Sequence, residues 1–388
     1  MPLDPHAGRD RTPGPDRDHA PATPLPLAVV CAIDQVLRDS VAADLLLDTR
    51  RLAALRYDVD RATGSLRRLV LDSGESILDA GRVREDRLVE LDHECVACAM
   101  REDAVPVLEA LAATGRYDAL ALVLPISADP LTVSRTLGAA TDAVRISTIA
   151  AVVDSGTVVE DVLGDATLAE RDLRWALEDE RSVGEALCAQ VEVADLVIDA
   201  RPQPDPAGAE LLAHLLHADQ ELVTELHSLA PAELLRPRHD ASATMRRADA
   251  CAAGDHTPRP GLSPHGTWTV VLRSERPFHP GRFLQHLEAL GAGRLRSRGR
   301  FWVPTRPGSV CEWNGAGGQV SVGAVAESAE LPTTCLVMTG IGEADRERVR
   351  RAFARCLLTD VEWRAGLAPW LGRADELDPW LGRRDVAA

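Results

Sequence analysis

The chain contains no lysine; all 43 of its basic residues are arginine. Any mechanism that turns on a lysine is therefore closed to it. It lacks an apolar run long enough to span a bilayer. The opening stretch MPLDPHAGRDRTPGPDRDHAPATPLP has no basic segment followed by an apolar core, so a secretory signal is not expected and a cytoplasmic protein is. Excess positive charge is missing too. With 60 acidic against 43 basic residues the formal net charge is −17. That argues against a whole-protein grip on nucleic acid, and no direct DNA binding is expected. A protein partner, or a local arginine-rich face, stays open.

What is present is a chain of 388 residues, 45% hydrophobic, long enough for two or three domains with ample core. Residues 1–26, rich in Pro and Asp, read as a disordered tail. The runs LAVVCAI (27–33), LVLD (69–72), ALALVL (119–124), STIAAVVD (147–154) and DLVIDA (195–200) read as buried strands. They alternate with helical stretches at 101–115 and 181–194. Apolar strands alternating with helices predict a doubly wound, mostly parallel α/β sheet over residues 27–235. Residues 236–266, polar and rich in Pro and Gly, read as a linker. A second, smaller α+β domain is expected over 267–364, with a strand at 267–273 and helices at 279–291 and 343–358. The tail 365–388, with two Trp-Leu pairs, is expected to cap that domain.

The stretch DHECVACAMRED (92–103) carries the sharpest chemical signal. Cys95 and Cys98 stand at the spacing that lets two thiolates share one tetrahedral ion. His93 is the nearest third ligand, whereas Glu94 points away if the segment is extended. Three readings stand: half of a metal site, a redox pair, or a relic of a fuller site. The redox reading needs a depressed thiol pKa. A helix starting at 101 helps Cys98, but Glu94, Glu102 and Asp103 oppose it. The other six cysteines (31, 188, 251, 311, 335 and 356) read as thiols outside any motif, with Cys31, Cys188 and Cys335 in the core. His214, His217 and His227 read as solvated. Arg294, Arg296, Arg298 and Arg300 alternate along one strand and so share one face. That face is either solvated or a contact for phosphate or an acidic protein. No Ser-His-Asp or paired-carboxylate arrangement stands out.

Two segments resemble the CobW family. RPFHPGRFLQHLEALGAGRLRSRGRFWVPTRPGSVCEW (276–313) is similar to its C-terminal domain signature, through Arg276 to Pro280, Arg282, Arg296, Arg298, Gly299, Trp302 and Thr305 to Pro307. HECVACAMREDAVPVLEALAATGRYDALALVLPISADP (93–130) is similar to its cysteine loop, where Ala97 replaces one of three thiols. The resemblance implies a P-loop GTPase-type sheet with a CobW C-terminal domain, and metal handling at Cys95, Cys98 and His93, with zinc as the ion. His279 in RPFHP is expected to be structural.

Three departures from that family concern one ligand. Ala32, Gln35 and Leu37 stand where P-loop glycines belong, Arg38 replaces the lysine, and Asp39 replaces the magnesium-binding threonine. Val123 and Ile126 replace an acidic-glycine turn. Ala200 to Gln203 replaces the guanine-reading motif. GTP is accordingly not expected as a cofactor. The chain is read as a non-enzymatic, zinc-responsive regulatory or adaptor protein. By resemblance to the actinobacterial branch of the family, its partners would be the ribosome or a ribosome hibernation factor. The alternative is a divergent GTP-binding metallochaperone for zinc or cobalt.

Overall fold

The computed structural model describes residues 23–60, 65–74, 81–89, 96–176, 178–224, 229–251, 262–327 and 331–382. The expected disordered tail lies almost wholly outside them. So do His93, Glu94, Cys95 and His227.

The N-terminal half is built on one sheet of eight strands in the order β4-β3-β2-β5-β1-β6-β7-β8. The strands are β1 (Leu25–Ala32), β2 (Leu52–Asp60), β3 (Ser65–Asp72), β4 (Arg82–Val89), β5 (Ala119–Val123), β6 (Val144–Val153), β7 (Leu196–Asp199) and β8 (Glu221–Val223). From β2 to β8 every neighbour is parallel, and only β3 and β4 are added antiparallel at one edge. The central strands are apolar on both faces because helices cover both. One face carries Val29, Leu55, Leu122 and Ile149; the other carries Val30, Ala54, Ala121 and Val152. The covering helices are α1 (Gln35–Asp48), α2 (Val96–Ala99), α3 (Val105–Ala113), α4 (Pro130–Ala140), α5 (Val158–Leu163), α6 (Val183–Val191) and α7 (Pro206–Leu215). The stretch read as a linker holds a further helix, α8 (Ala241–Ala248), started by Asp240, whose carboxylate accepts from Ser242 N.

The C-terminal half is an antiparallel sheet in the order β12-β11-β10-β13-β9. Its strands are β9 (Thr267–Ser274), β10 (Leu295–Phe301), β11 (Ser309–Ala316), β12 (Gln319–Glu327) and β13 (Thr334–Ile341). Helices α9 (Pro280–Gly291) and α10 (Glu343–Cys356) pack on one face, followed by α11 (Asp360–Arg364) and α12 (Asp378–Leu381). Phe278, Phe283, Phe301 and Phe353 stack in the core, with ring centroids 4.8–5.5 Å apart. Leu377 and Leu381 of the tail join this core, and Trp370 lies edge-on to His279 at 5.1 Å.

The RPFHP signature explains itself here as architecture. The His279 imidazole caps α9, its Nδ1 accepting from Gly281 N (3.1 Å) and Arg282 N (3.3 Å), a role that needs the ring neutral. Arg282 makes a two-pronged bond to Glu362, and Arg276 pairs with Asp360, so the motif also ties down α11.

The second face of this sheet meets the N-terminal domain, and there the arginine stripe finds its use. Arg296 grips Glu192, just past α6, with Nε and Nη2 both at 2.7 Å. Arg298 reaches the same carboxylate at 3.1 Å and contacts His217 Nε2 at 3.0 Å. Arg294 pairs with Glu160 and Arg300 with Asp249. Arg296 and Arg298 therefore form a buried interdomain clamp, while Arg294 and Arg300 pair at its more exposed rim. His214 and His217, expected in solvent, are buried in the same seam, His214 bonding Thr269 (2.9 Å) and Ser263 (2.8 Å) across it. Gly317, at the β11–β12 turn, touches Gly164 of the other domain. A Cβ there would lie 1.6 Å from the Gly164 carbonyl oxygen, and φ is +62°, so only glycine fits.

Burial alone would raise the Glu192 pKa, but Arg296 and Arg298 outweigh it and hold it down to about 2. The unfolded side chain titrates near 4.5. Its contribution is therefore complete above about pH 4.5 and disappears as pH falls toward 2. Glu192→Gln leaves two buried guanidinium groups without a counter-charge, and a loss of ~3–5 kcal/mol is expected in denaturant unfolding. Arg296→Met leaves the carboxylate with Arg298 and is expected to cost less; an equal loss would show that the carboxylate is not shared. For His279, burial and then Arg282 lower the pKa. Its cap contributes in full above about pH 6.5 and weakens as pH falls below that value. His279→Ala is expected to cost about 1 kcal/mol at neutral pH. His279→Asp should keep the cap and remove the pH dependence seen in thermal melts.

Candidate functional site

In a parallel sheet the ligand crevice lies beyond the carboxyl ends of the strands, where neighbouring connections diverge. Here that is the end of β1, between β5 and β6. Only Ile33 and Asp34 separate β1 from α1. Asp34 caps the helix, its carboxylate accepting from Val36 N (2.7 Å) and Leu37 N (3.0 Å), while its carbonyl takes Arg38 N (3.1 Å). The N–H groups that would receive an anion thus already have acceptors, one of them a carboxylate that repels phosphate. Asp39, which stands at the position of the magnesium-binding threonine, lies one turn later, within α1.

Arg38 does not face the crevice. It is fully buried and bonds the carbonyls of Leu124 (2.8 Å) and Tyr57 (3.3 Å), Asp39 (2.8 Å) and Asp58 (2.5 Å). Arg56 closes the quartet on Asp39 (2.9 Å) and Asp58 (2.7 Å). Beside it, the Gln190 amide donates to the carbonyls of Ala32 (3.4 Å) and Ala128 (3.2 Å), sealing the strand ends. At the guanine-reading position, Asp199 accepts from Ser155 N and Arg201 N, and Arg201 pairs with Asp154 at 3.1 Å. What remains of the crevice is a cavity of about 350 Å³ lined by Asp34, Val36, Leu37, Asp154, Asp161, Arg171 and Leu187, among others. Its charges are mostly negative and its walls apolar.

The cysteine motif sits elsewhere on the sheet. The helix expected from 101 already includes Val96–Ala99, so Cys98 lies within it rather than before it. Helix α2 passes through a wide turn at Met100–Ala104 into α3, and Val105 N donates to Met100 O, five residues back. Pro106, next in the chain, has no N–H to continue the ladder, which explains the widening. Met100, Ala104 and Leu108 bury the inner face. Asp103 is pinned by Tyr57 (2.5 Å) and Arg68. These contacts aim Ala97 and Cys98 partly outward. Of the seven described cysteines, six are buried and Cys98 alone is partly exposed. Its sulfur lies 4.0 Å from an Arg101 guanidinium nitrogen. Among the described residues no three His, Cys, Asp or Glu side chains gather to hold an ion.

One constellation was missed in the sequence. Ser134 Oγ lies 3.2 Å from His239 Nε2, and His239 Nδ1 lies 3.0 Å from Asp195 Oδ2. The order is that of an acyl-transfer triad, but the setting is not. Ser134 is buried in mid-helix, it lines neither cavity described in this article, and Asp195 is also claimed by Arg247 at 2.8 Å. Separations of 105 and 44 residues gave no local signal.

Residues 267–357 match the family described as the cobalamin synthesis protein cobW C-terminal domain, and residues 60–205 match the CobW/HypB/UreG nucleotide-binding domain. The β1–α1 turn precedes the second match. The chain is 25% identical over 258 residues to "Zinc-regulated GTPase metalloprotein activator 1" of Dictyostelium discoideum, covering 61% of this chain and 54%, about half, of that protein. It is 27% identical over 352 residues to "Zinc chaperone Rv0106" of Mycobacterium tuberculosis, covering 86% of this chain and 79% of the relative. Among solved structures, Zn(II)-bound YjiA GTPase from E. coli aligns over 86% of this chain and 99% of its own, with 15% identity and a TM-score of 0.37. None of the helices described is long and apolar enough to cross a membrane.

Asp34→Ala is expected to cost about 1 kcal/mol by loss of the cap. Arg38→Met leaves Asp39 and Asp58 to Arg56 alone and the Leu124 and Tyr57 carbonyls without their donor, and is expected to cost ~1–3 kcal/mol. Thermal melts of the two variants would rank them; an Arg38→Met protein as stable as the parent would mean that the quartet does not form.

Proposed function

We propose, from the premise that the chain belongs to the CobW family, that it handles zinc as a metallochaperone-type protein through the Cys98 helix, without a phosphate cradle at its first strand-to-helix turn. The observation that carries this reading is the contrast between two places. The nucleotide crevice is closed by Asp34, Gln190 and an inward Arg38. The one partly exposed thiol among the described cysteines stands on the motif that the sequence reading marked for metal. The zinc-related names of the relatives support the choice of ion. Cys98 would supply one thiolate, with Cys95 and His93 as the partners that the spacing offers. Three protein ligands leave one position open, which suits an ion that is passed on.

A second reading keeps a nucleotide cycle, and the GTPase names of the relatives favour it. In that case GTP contacts this chain by other groups than a P-loop. Recruitment of a ribosome hibernation factor, implied by the motif's resemblance, would be the downstream partner step.

Zinc titration by calorimetry separates these readings. The parent is expected to bind one zinc ion, Cys98→Ser at least about tenfold more weakly, which is ~1.4 kcal/mol. The Cys95→Ser/Cys98→Ser variant should lose the site. Equal affinity in parent and double variant would overturn the assignment. Magnesium and GTP are expected to leave zinc affinity and melting temperature unchanged; GTP binding with turnover would establish the second reading. Co-sedimentation with ribosomes, with and without zinc, tests the partner.

A further inference from the structure

Away from both places, two thiols meet beneath the interdomain seam. Cys335 lies near the start of β13, and Cys251 follows the last turn of α8. Cys251 Sγ donates to the Cys335 carbonyl oxygen at 2.9 Å, which sets its sulfur against that residue. Both are buried, packed with Ala250 and Val337 in a small cluster of their own. They are 84 residues apart, so the contact belongs to the fold and not to a motif.

The surroundings of this pair differ from those of an inert core thiol. Cys335 stands directly opposite Arg300 on β10 and Arg273 on β9. Opposed residues on antiparallel strands share a face, so the Cys335 sulfur has an arginine on each side. Arg273 also donates to Cys251 O at 3.2 Å. Contact from Cys251, and then the two arginines, lower the Cys335 pKa against burial, while Cys251 keeps its proton. One sulfur is thus set as nucleophile and the other as its neighbour in waiting. Asp249, Ala250, Gly299 and Arg300 form part of the wall of a cleft of about 670 Å³ between the domains, so the pair lies just behind a surface that a small oxidant can reach.

We propose that Cys251 and Cys335 form a reversible disulfide under peroxide. The Cys335 thiolate attacks one peroxide oxygen, the O–O bond breaks, and the departing hydroxide takes a proton to leave as water. The sulfenic acid so formed is attacked by the Cys251 sulfur. The S–S bond forms, the S–O bond breaks, and the thiol proton leaves with the hydroxyl as a second water. Two thiols and one hydrogen peroxide thus give one disulfide and two waters. An intracellular dithiol of the thioredoxin class reverses the step.

The consequence follows from what α8 holds. Arg247 on this helix bonds Asp195 and the carbonyls of Val193 and Ala194 in the N-terminal domain, and its own carbonyl accepts from Arg298. A bond from Cys251 to β13 makes that strap covalent. The two domains are then held together even when Glu192 is protonated.

The test is peroxide treatment of the full-length protein, followed by alkylation and non-reducing peptide mapping. The expected result is one linked peptide pair joining Cys251 to Cys335, reversed by dithiothreitol. In Cys251→Ala, a dimedone adduct is expected on Cys335, since no partner remains to resolve the sulfenic acid. Oxidised parent is expected to keep its interdomain contact at a pH where the reduced protein loses it, as read by limited proteolysis. Alkylation of both sulfurs after peroxide, or linkage of either to another cysteine, would overturn the proposal. The peptide map of the parent decides this even where a variant fails to fold.

Discussion

A carboxylate shared by two arginines is the interaction on which this molecule's arrangement depends. Glu192 leaves α6 at the point where the N-terminal sheet's helices meet the second domain, and Arg296 and Arg298 converge on it from β10. All three side chains are nearly or wholly out of solvent. A buried ion pair is weak evidence for stability, because desolvation offsets much of its attraction. It is stronger evidence for register. Three charges that must meet allow one placement of β10 on α6, and a shift of one residue would turn every arginine of the strand to the wrong face. The neighbouring polar contacts depend on that placement: Ser182 to the Ala316 carbonyl, His214 to Thr269, and Gly317 against Gly164.

This explains which parts of the sequence were legible. Runs such as 119–124 and 195–200 are apolar at every position because both faces of the sheet are covered, and the strand pattern states that directly. The even spacing of Arg294, Arg296, Arg298 and Arg300 correctly showed one face. It said nothing of what lies opposite, since Glu192 is 104 residues away from Arg296. His214 and His217 read as solvated because their local neighbours are acidic and polar, and only the second domain buries them. The start of the cysteine helix was misplaced for a different reason. The acidic pair Glu102 and Asp103 suggested a first turn at 101, whereas the wide turn at 100–104 joins that stretch to a helix already present at Val96–Ala99. The pairing of Cys251 with Cys335, and the Ser134–His239–Asp195 series, have no local signature at all.

The β1–α1 turn shows how the groups of a phosphate-binding turn can find partners within the fold. A phosphate-binding turn leaves helix N–H groups and a positive charge waiting for an anion. In this chain every one of those demands is met from within. Asp34 takes the N–H groups, and Arg38 turns inward to Asp39 and Asp58, which Arg56 balances. The absence of lysine fits this outcome, because a planar guanidinium can satisfy two carbonyls and two carboxylates at once where an ammonium offers only three donors. The turn has thereby become part of the scaffold.

That change alters what metal handling would require. Where a nucleotide and a metal loop share a sheet, hydrolysis can drive the release of an ion that is held tightly. On the proposed reading, release would come from the site's own affinity, so an open coordination position and a partly exposed thiol would be advantages. The wide turn at 100–104 bears on this directly. Its first turn is tied to the core through Met100 and its last through Ala104, while Asp103 is held by Tyr57 and Arg68 on β2 and β3. On the proposed reading, an ion held at Cys98 would act on a helix tied to the sheet through Met100, Ala104 and Asp103.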